Sequence, residues 1–231
     1  MWIRQGVRET IANVSPTTRP YGGIPAQQRH ARRRAALLEA GLDLLGTGGW
    51  AATTMRAVCR QAGLNDRYFY ENFAGTDALL LAVVDDLAAQ GTAAILAAAQ
   101  AAPRDLPAGA RAAVTAAVDF LTADPRRARI LAYEIQACPL LQDRRRTILH
   151  ALAAIYTTQI HELQDEILAS AADVELAGYT IAAGSWELIV SWIRGDLATD
   201  RAHLIDFIVA LILTSADLAP ALHRQLQRAP R

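Results

Sequence analysis

Residues 53–73 contain two short helical stretches separated by Gly63, and this spacing constrains the fold more than any other part of the chain. Either threonine of the Thr53-Thr54 pair can cap the first stretch, because a hydroxyl oxygen accepts from the free N–H groups of a first helical turn. Asn65 can cap the second stretch in the same way. Two such helices joined by a glycine-containing turn are typical of a helix-turn-helix unit.

The rest of the chain also has the pattern of helices. Alanine-rich segments without alternating β-branched residues predict an all-α bundle of about nine helices, in which alanine permits close packing of the axes. Gly, Pro and Asp mark the ends of the stretches, and we find no strand pattern. Outside the two short helices, the predicted helical stretches are 26–45, 76–101, 108–123, 126–137, 140–170, 174–194 and 200–218.

The same breaks divide the chain into four predicted parts. Residues 1–25, which contain prolines and glycines, form a basic arm that we expect to be flexible. Residues 26–75 form an N-terminal three-helix domain that contains the helix-turn-helix. Residues 76–220 form a larger C-terminal helical domain, and the polar residues 221–231 form a tail that we expect to be frayed.

Charge is distributed unevenly, although the formal net charge is zero. Residues 1–75 hold ten arginines and five acidic residues, whereas residues 76–231 hold thirteen and eighteen. A positive end suits a polyanion, and an acidic, apolar remainder suits self-association or capture of a small molecule. The two isolated cysteines predict neither a disulfide framework nor a metal site, and no segment predicts export or membrane insertion. We therefore expect a cytoplasmic protein.

Four features within residues 30–87 occur together: the lead-in RRAALLEAGLDLLGTGGW, the threonine pair, Ala62-Gly63-Leu64 at the turn, and the aromatic pair Tyr70-x-x-Phe73. In combination they resemble the N-terminal domain of the TetR family of bacterial transcriptional regulators (TetR/AcrR-like). The resemblance implies a DNA-binding domain followed by an effector-binding and dimerisation domain. It implies a homodimer, which in most relatives represses transcription and in some activates it.

The helix that begins after Asn65 is the predicted recognition helix, whose leading residues meet base edges in the major groove. We expect Arg67 to read a guanine with its planar guanidinium, and Asp66 to accept from a cytosine amino group. Asp66 has an alternative role that involves no base, because an acid in this position also complements the helix dipole. The predicted DNA contacts from the two short helices are Thr54, Arg56, Asn65, Asp66, Arg67 and Tyr68.

Further DNA contacts are expected next to these helices. Arg29 and Arg33 belong to an arginine cluster near the start of the first long helix, which could also be a solvated charged face. Tyr70 resembles the family tyrosine that bonds the DNA backbone. Thr76 stands where the family usually has lysine, and Asn72 where it often has histidine, so we expect one phosphate contact fewer. Two large aromatic residues are expected to pack in the core of this domain: Trp50 and Phe73.

A helix-turn-helix reads few base pairs, so specificity ordinarily requires two copies about 34 Å apart on one DNA face. The last two predicted helices carry apolar residues on more than one face, which suggests burial beyond that of a single chain. The resemblance implies that this pair forms a four-helix dimer interface. The alternative is an internal hairpin core. The predicted interface residues are Trp186, Ile189, Ile193, Leu204, Ile208 and Leu211.

Helices between the DNA-binding domain and the predicted interface are expected to enclose a small-molecule effector. Family members usually do so in an apolar cavity with a few polar groups, for which Gln136 and His161 are further candidates. The alternative is that the aromatic residues are ordinary core. The predicted effector-binding residues are Phe120, Tyr133, Glu134, Leu152, Tyr156 and Trp186.

An enzyme is the first competing hypothesis, and the sequence offers little for it. We find no glycine-rich phosphate loop, no His-Glu-x-x-His and no serine between glycines, so we predict no enzyme activity, no cofactor and no metal. His161 and Asp165 lie one turn apart, but a charged surface helix explains them better. The second competing hypothesis is a helical protein-binding adaptor without specific DNA recognition. The preferred function is a repressor released from a palindromic operator by a small, largely apolar effector.

Overall fold

The structure is a computed structural model that describes residues 25–163 and 170–228, with side chains left undescribed at 160–163, 217–220, 223 and 226. Within these residues the chain forms nine helices and no strand, which confirms the all-α prediction. The sixth helix consists of three contiguous pieces, of which the middle one is a π-helical turn. The helices are α1 (Ala26–Gly48), α2 (Met55–Ala62), α3 (Asp66–Tyr70), α4 (Thr76–Ala101), α5 (Leu106–Thr122), α6 (Pro125–Arg129, Ile130–Glu134 and Ile135–Ala137), α7 (Gln142–Leu163), α8 (Ala171–Arg194) and α9 (Arg201–Arg228).

Side-chain caps define several helix starts. Asp105 accepts from the N–H of Ala108 at the start of α5, and Asp124 accepts from the N–H of Arg126 at the start of α6. Ser170 and Asp173 form a reciprocal capping box on α8. Each cap satisfies N–H groups that the helix itself leaves free, so these starts are determined by local sequence.

The observed ends of α3 and α9 differ from the sequence prediction. The sequence pattern predicts the second short helix from Asp66 to about Phe73, but α3 ends at Tyr70 and a turn leads to Phe73. Helix α9 continues to Arg228, whereas we expected helix only to 218 and a frayed tail at 221–231. Residues 221–228 are Ala, Leu, His, Arg, Gln, Leu, Gln and Arg, most of which favour helix, and this propensity outweighed their polarity. Except for Pro25, the predicted arm at 1–25 lies outside the described residues. Residues 229–231 and Asp165 also lie outside them, and the side chain of His161 is not described.

One contiguous core runs through both parts of the chain, and α4 lies at its centre. Leu79, Val83 and Leu87 of α4 are almost fully buried. Toward the N-terminus α4 packs on α1, and further along it packs on α5 and α7. By length and composition α4 is the one helix of the described residues that could cross a membrane, properties that it shares with core helices of globular proteins. Helix α4 therefore connects the three N-terminal helices to the larger helical part.

Candidate DNA interface and apolar cavity

Helices α2 and α3 form the helix-turn-helix, and their boundaries are fixed by two caps and a glycine. The hydroxyl of Thr54 accepts from the N–H of Ala57, 3.3 Å away, and the side chain of Asn65 accepts from the N–H of Tyr68 at 3.2 Å. Gly63, with φ of 64°, ends α2 in the left-handed region that glycine adopts without strain. Thr54 therefore already caps α2, and its companion Thr53 is buried.

Helix α3 has one buried side and one exposed side. Phe69 is fully buried and contacts the rings of Tyr70 and Phe73. Arg67 is 82% exposed and donates from Nε to the carboxylate of Glu71, 3.0 Å away. Asn65, Asp66 and Tyr70 are also exposed. The leading residues of α3 thus lie on a surface that a double helix can approach.

The side chains of Tyr68 and Arg33, both predicted to contact DNA, pack against each other. The guanidinium of Arg33 lies 4.3 Å from the centre of the Tyr68 ring and 3.7 Å from a carboxylate oxygen of Glu71. Its side chain is 24% exposed. Arg33 therefore holds α3 against α1, a role that the sequence prediction, which assigned it to DNA, did not include. Arg34 makes a comparable contact with the ring of Phe73 at 4.6 Å.

The remaining predicted DNA contacts lie on helices α1, α2 and α4. Arg56 on α2 and Arg29 on α1 are exposed. Thr76, which is half-buried, is the first residue of α4.

Of the two aromatic residues expected in the core, Phe73 is buried, but Trp50 is 46% exposed. Trp50 belongs to a short 3₁₀ turn after α1 whose residues are all at the surface, so the prediction for Trp50 was wrong.

Asp66 has a partner within the protein that the sequence did not indicate. Burial raises the pKa of the Cys59 thiol, and the negative charge of Asp66 and a hydrogen bond to its carboxylate raise it further. Asp66 also lies in the first turn of α3, where an acid complements the helix dipole. Both observations give Asp66 a structural role in addition to any contact with a base.

Arg126 joins the start of α6 to α1. Its guanidinium bonds Glu39 at 2.8 Å, lies 3.4 Å from Asp43, and bonds Asp124 at 2.8 Å. Hydrogen bonds to Asp124 and Glu39 raise the pKa of Arg126, and the hydrogen bond to Arg126 lowers the pKa of Asp124. The helices approach closely here, because a Cβ added at Gly46 would lie 2.5 Å from that of Arg126.

Glu134 makes a second connection between α6 and the N-terminal helices. One carboxylate oxygen accepts from the backbone N–H of Trp50 at 3.0 Å, and the other lies 3.6 Å from Arg129. The side chain of Glu134 is almost fully buried in this position. Glu134 therefore faces the turn after α1. We had expected it to contact an effector, but it does not line the apolar cavity among α4 to α9.

An apolar cavity of about 170 Å³ lies among α4 to α9. Four residues that we predicted to bind an effector line it: Phe120, Leu152, Tyr156 and Trp186. The Tyr156 hydroxyl is hydrogen-bonded to Ser215 at 2.8 Å. Phe120 lies against Gly91 of α4, where an added Cβ would be 3.0 Å from its ring. Leu131, in the π-helical turn of α6, is also part of the wall.

Tyr133 is the other predicted effector residue that the structure places elsewhere. Its side chain is 45% exposed, and its ring lies 5.2 Å from the guanidinium of Arg194. Arg194 also donates to the backbone carbonyl of Ala132. Tyr133 therefore lies at the surface, because residues two positions apart on a helix point to roughly opposite sides and Leu131 faces the cavity. Gln136, the further polar candidate, is half-buried outside the cavity wall.

The predicted dimer-interface residues divide into two groups. Trp186, Ile189, Leu204 and Ile208 are less than 10% exposed within a single chain, so they belong to its own core. Their packing within one chain matches the hairpin-core alternative, and their place in a dimer interface stays a prediction. Ile193 is half-buried and Leu211 is 37% exposed. Among their described side chains, the large apolar ones that α8 and α9 expose are Leu176, Phe207, Leu211 and Leu222.

Comparison with known proteins agrees with this geometry. Residues 37–83, which span most of α1, all of α2 and α3 and the start of α4, match the family of bacterial regulatory proteins described as the tetR family. Among curated proteins, no sequence match is found.

Solved structures extend the similarity to almost the whole chain. A transcriptional regulator from Pseudomonas aeruginosa PAO1 has a TM-score of 0.70 at 16% identity, over 87% of this chain and 97% of that one. A tetR-family regulator from Streptomyces coelicolor has a TM-score of 0.65 at 19% identity, over 87% and 90%. FadR from Bacillus subtilis, solved with stearoyl-CoA, has a TM-score of 0.57 at 19% identity, over 80% and 96%. Residues 37–83 thus match the tetR family of bacterial regulatory proteins, and most of the chain has the same fold as these solved regulators.

Proposed function

We propose that this protein is a sequence-specific transcriptional regulator that binds a palindromic operator as a homodimer, in the cytoplasm. In the simplest form of the proposal it is a repressor that an apolar effector releases from DNA. Residues 26–75 would bind DNA, and residues 76–220 would bind the effector and form the dimer. The observation that carries the proposal is the exposure of Asp66 and Arg67 on α3, while Phe69 anchors the same helix in the core.

DNA recognition in this proposal centres on Arg67. Its guanidinium can exchange the carboxylate of Glu71 for the O6 and N7 atoms of a guanine, a pairing that discriminates by about 1–3 kcal/mol. Thr54 and Asn65 lie at helix starts, where side chains and N–H groups suit phosphate oxygens. The further proposed contacts are Arg29, Arg56, Tyr70 and Thr76. Arg33 and Tyr68 would position α3 through their mutual contact.

Dimerisation is proposed through the outer face of α8 and α9. Phe207 and Leu211 lie one turn apart on α9, both exposed, and Leu176 of α8 is 68% exposed. Large apolar side chains exposed on neighbouring helices lose contact with water when two copies pack together. A homodimer also supplies the second helix-turn-helix that a palindromic operator requires.

Effector control is proposed to act through α4 and α6 together. Leu131 lies in the cavity wall, and Glu134 of the same π-helical turn holds the N–H of Trp50. Arg126 ties the start of α6 to Glu39 and Asp43 of α1. An effector that prefers a different position of these helices shifts the population toward a state with altered spacing of the two recognition helices.

Selection of bound fragments from genomic or random DNA tests this function directly. We expect the full-length protein to enrich one palindromic sequence, with affinity that falls steeply as salt increases. Sequence-independent binding, or no enrichment, would contradict operator recognition and favour the adaptor hypothesis. Arg146→Ala is the control and should leave the enrichment unchanged, since Arg146 is an exposed arginine of α7 that pairs with Asp143 of the same helix, outside the proposed DNA and dimer contacts.

A further inference from the structure

The wall of the cavity contains polar groups but no charge among the described residues. Its polar side chains are Thr92, Tyr156, Gln159, Ser185 and Trp186, and every other residue of the wall is apolar or glycine. An ionised group placed there would lose its hydration without gaining a counter-ion, which is strongly unfavourable. The wall therefore favours an uncharged occupant.

Two adjacent wall residues of α8 carry hydrogen-bonding groups without a partner. Trp186 is only 7% exposed, and its Nε1–H donates to no acceptor within the protein. The hydroxyl of Ser185 is likewise buried and unpaired. A buried donor without an acceptor costs about 1–3 kcal/mol, and most buried polar groups in proteins are paired. By contrast, the hydroxyls of Tyr156 and Ser215 satisfy each other.

We infer that the effector is a small, uncharged, largely hydrocarbon molecule with one carbonyl oxygen, which accepts from Trp186 Nε1 and Ser185 Oγ. The inference rests on the proposed function and names the chemistry of its ligand. An indole N–H can only donate, so its partner must be an acceptor. The rest of the wall rewards burial of apolar surface.

The size of the cavity indicates suitable probes. Its volume of about 170 Å³ is similar to apolar cavities of ~150 Å³ that admit benzene, so a molecule with one aromatic ring is appropriate. Acetophenone carries a ketone on such a ring. In α-methylstyrene a methylene group replaces the ketone oxygen with little change of shape, and benzoate carries a negative charge instead.

The experiment is calorimetric titration of the full-length protein with each probe, in the absence of DNA. We expect acetophenone and α-methylstyrene to bind, and benzoate to bind at least tenfold more weakly than acetophenone. In Trp186→Phe and Ser185→Ala, the Kd of acetophenone relative to that of α-methylstyrene should rise roughly two- to tenfold, the contribution of one hydrogen bond. This ratio cancels changes of cavity volume that affect both probes. Ser191→Ala, in the same helix but outside the wall, should leave the ratio unchanged.

The outcomes separate this inference from the proposed function. A ratio that rises in only one of the two variants supports the inference and assigns the donor to that residue. An unchanged ratio in both variants, tighter binding of benzoate, or no binding of any probe would overturn it. Operator affinity is measured separately: failure of wild-type protein to bind a specific DNA site contradicts the regulator proposal and leaves the titrations as they stand.

Discussion

Glu134 accepts a hydrogen bond from the backbone N–H of Trp50 across 3.0 Å, although 84 positions separate the two residues in the chain. This contact joins α6 to the turn after α1, and the ion pairs of Arg126 with Glu39 and Asp43 join α6 to α1 itself. In Glu134→Ala the N–H of Trp50 loses its acceptor and Arg129 loses its ion pair. We expect the free energy of unfolding to fall by about 1–3 kcal/mol, measured by urea denaturation.

Glu187→Ala is the matched control for Glu134→Ala. Glu187 is 52% exposed and pairs with Arg145 at 3.5 Å, so its removal should change stability by less than about 0.5 kcal/mol. Equal effects of the two substitutions would contradict the role that we assign to Glu134.

Gly46→Ala should separate α1 from α6. The new Cβ would lie 2.5 Å from the Cβ of Arg126 and 2.9 Å from its Cα, so backbone must move. We expect a loss of about 1–3 kcal/mol, detected as a lower Tm. Gly109→Ala provides the comparison, because the added methyl there meets only Gln159, at 3.7 Å. That substitution should be neutral or stabilising through helix propensity. Similar Tm values for the two variants would show that the helices tolerate a side chain at Gly46.

Asp124 makes stability depend on acidic pH. The hydrogen bond to Arg126 lowers its folded-state pKa below the ordinary value of 3.8. The stability that ionised Asp124 contributes is therefore fully present above pH 3.8, and it is lost as the pH falls through the lowered folded-state pKa. Unfolding measured from pH 5 down to pH 2 should show a shallower decline for Asp124→Asn than for wild type. Parallel declines would exclude Asp124 as a source of the dependence.

Arg67→Ala should remove one base preference from each half of the operator. The expected cost is about 1–3 kcal/mol for the preferred base and little for other bases at that position. The variant should keep the stability of wild type, because the exposed Arg67–Glu71 pair contributes only about 0.3–0.5 kcal/mol. Competition binding with operators substituted one base pair at a time measures this directly. Uniform loss of affinity for all sequences would indicate a phosphate contact instead.

Phe207→Glu should dissociate the proposed dimer, because it places a charge beside Leu211 on the exposed apolar side of α9. Phe207 is 52% exposed in a single chain, so the substitution should leave the fold intact. Sedimentation equilibrium should give a monomer for this variant and a dimer for Leu197→Glu, which alters an exposed leucine between α8 and α9. A dimer in both variants would place the interface elsewhere.

Local features of the fold were predictable because short segments determine them. Thr54 and Asn65 cap their helices as expected, since an N-cap needs only a suitable side chain before a helical stretch. The contact of Glu134 with Trp50 and that of Arg33 with Tyr68 were not predictable, because the partner in each pair comes from a distant part of the chain. The sequence assigned Trp186 to both the cavity and the dimer interface. Helical periodicity shows that such a residue is buried but not against which neighbour, and only packing placed it in the cavity wall.

The close approach of Phe120 to Gly91 is the point about which α4 would tilt in the proposed mechanism. Twelve residues separate Gly91 from Leu79, a distance of about 18 Å along a helix. A swing of about 5° around this point would move Leu79 sideways by about 1.5 Å, which exceeds the tolerance of a base-edge hydrogen bond. In the proposed mechanism, an effector that tilts α4 about this contact therefore needs to cause only a small rotation, because the length of the helix turns a small angle into a displacement at the helix-turn-helix.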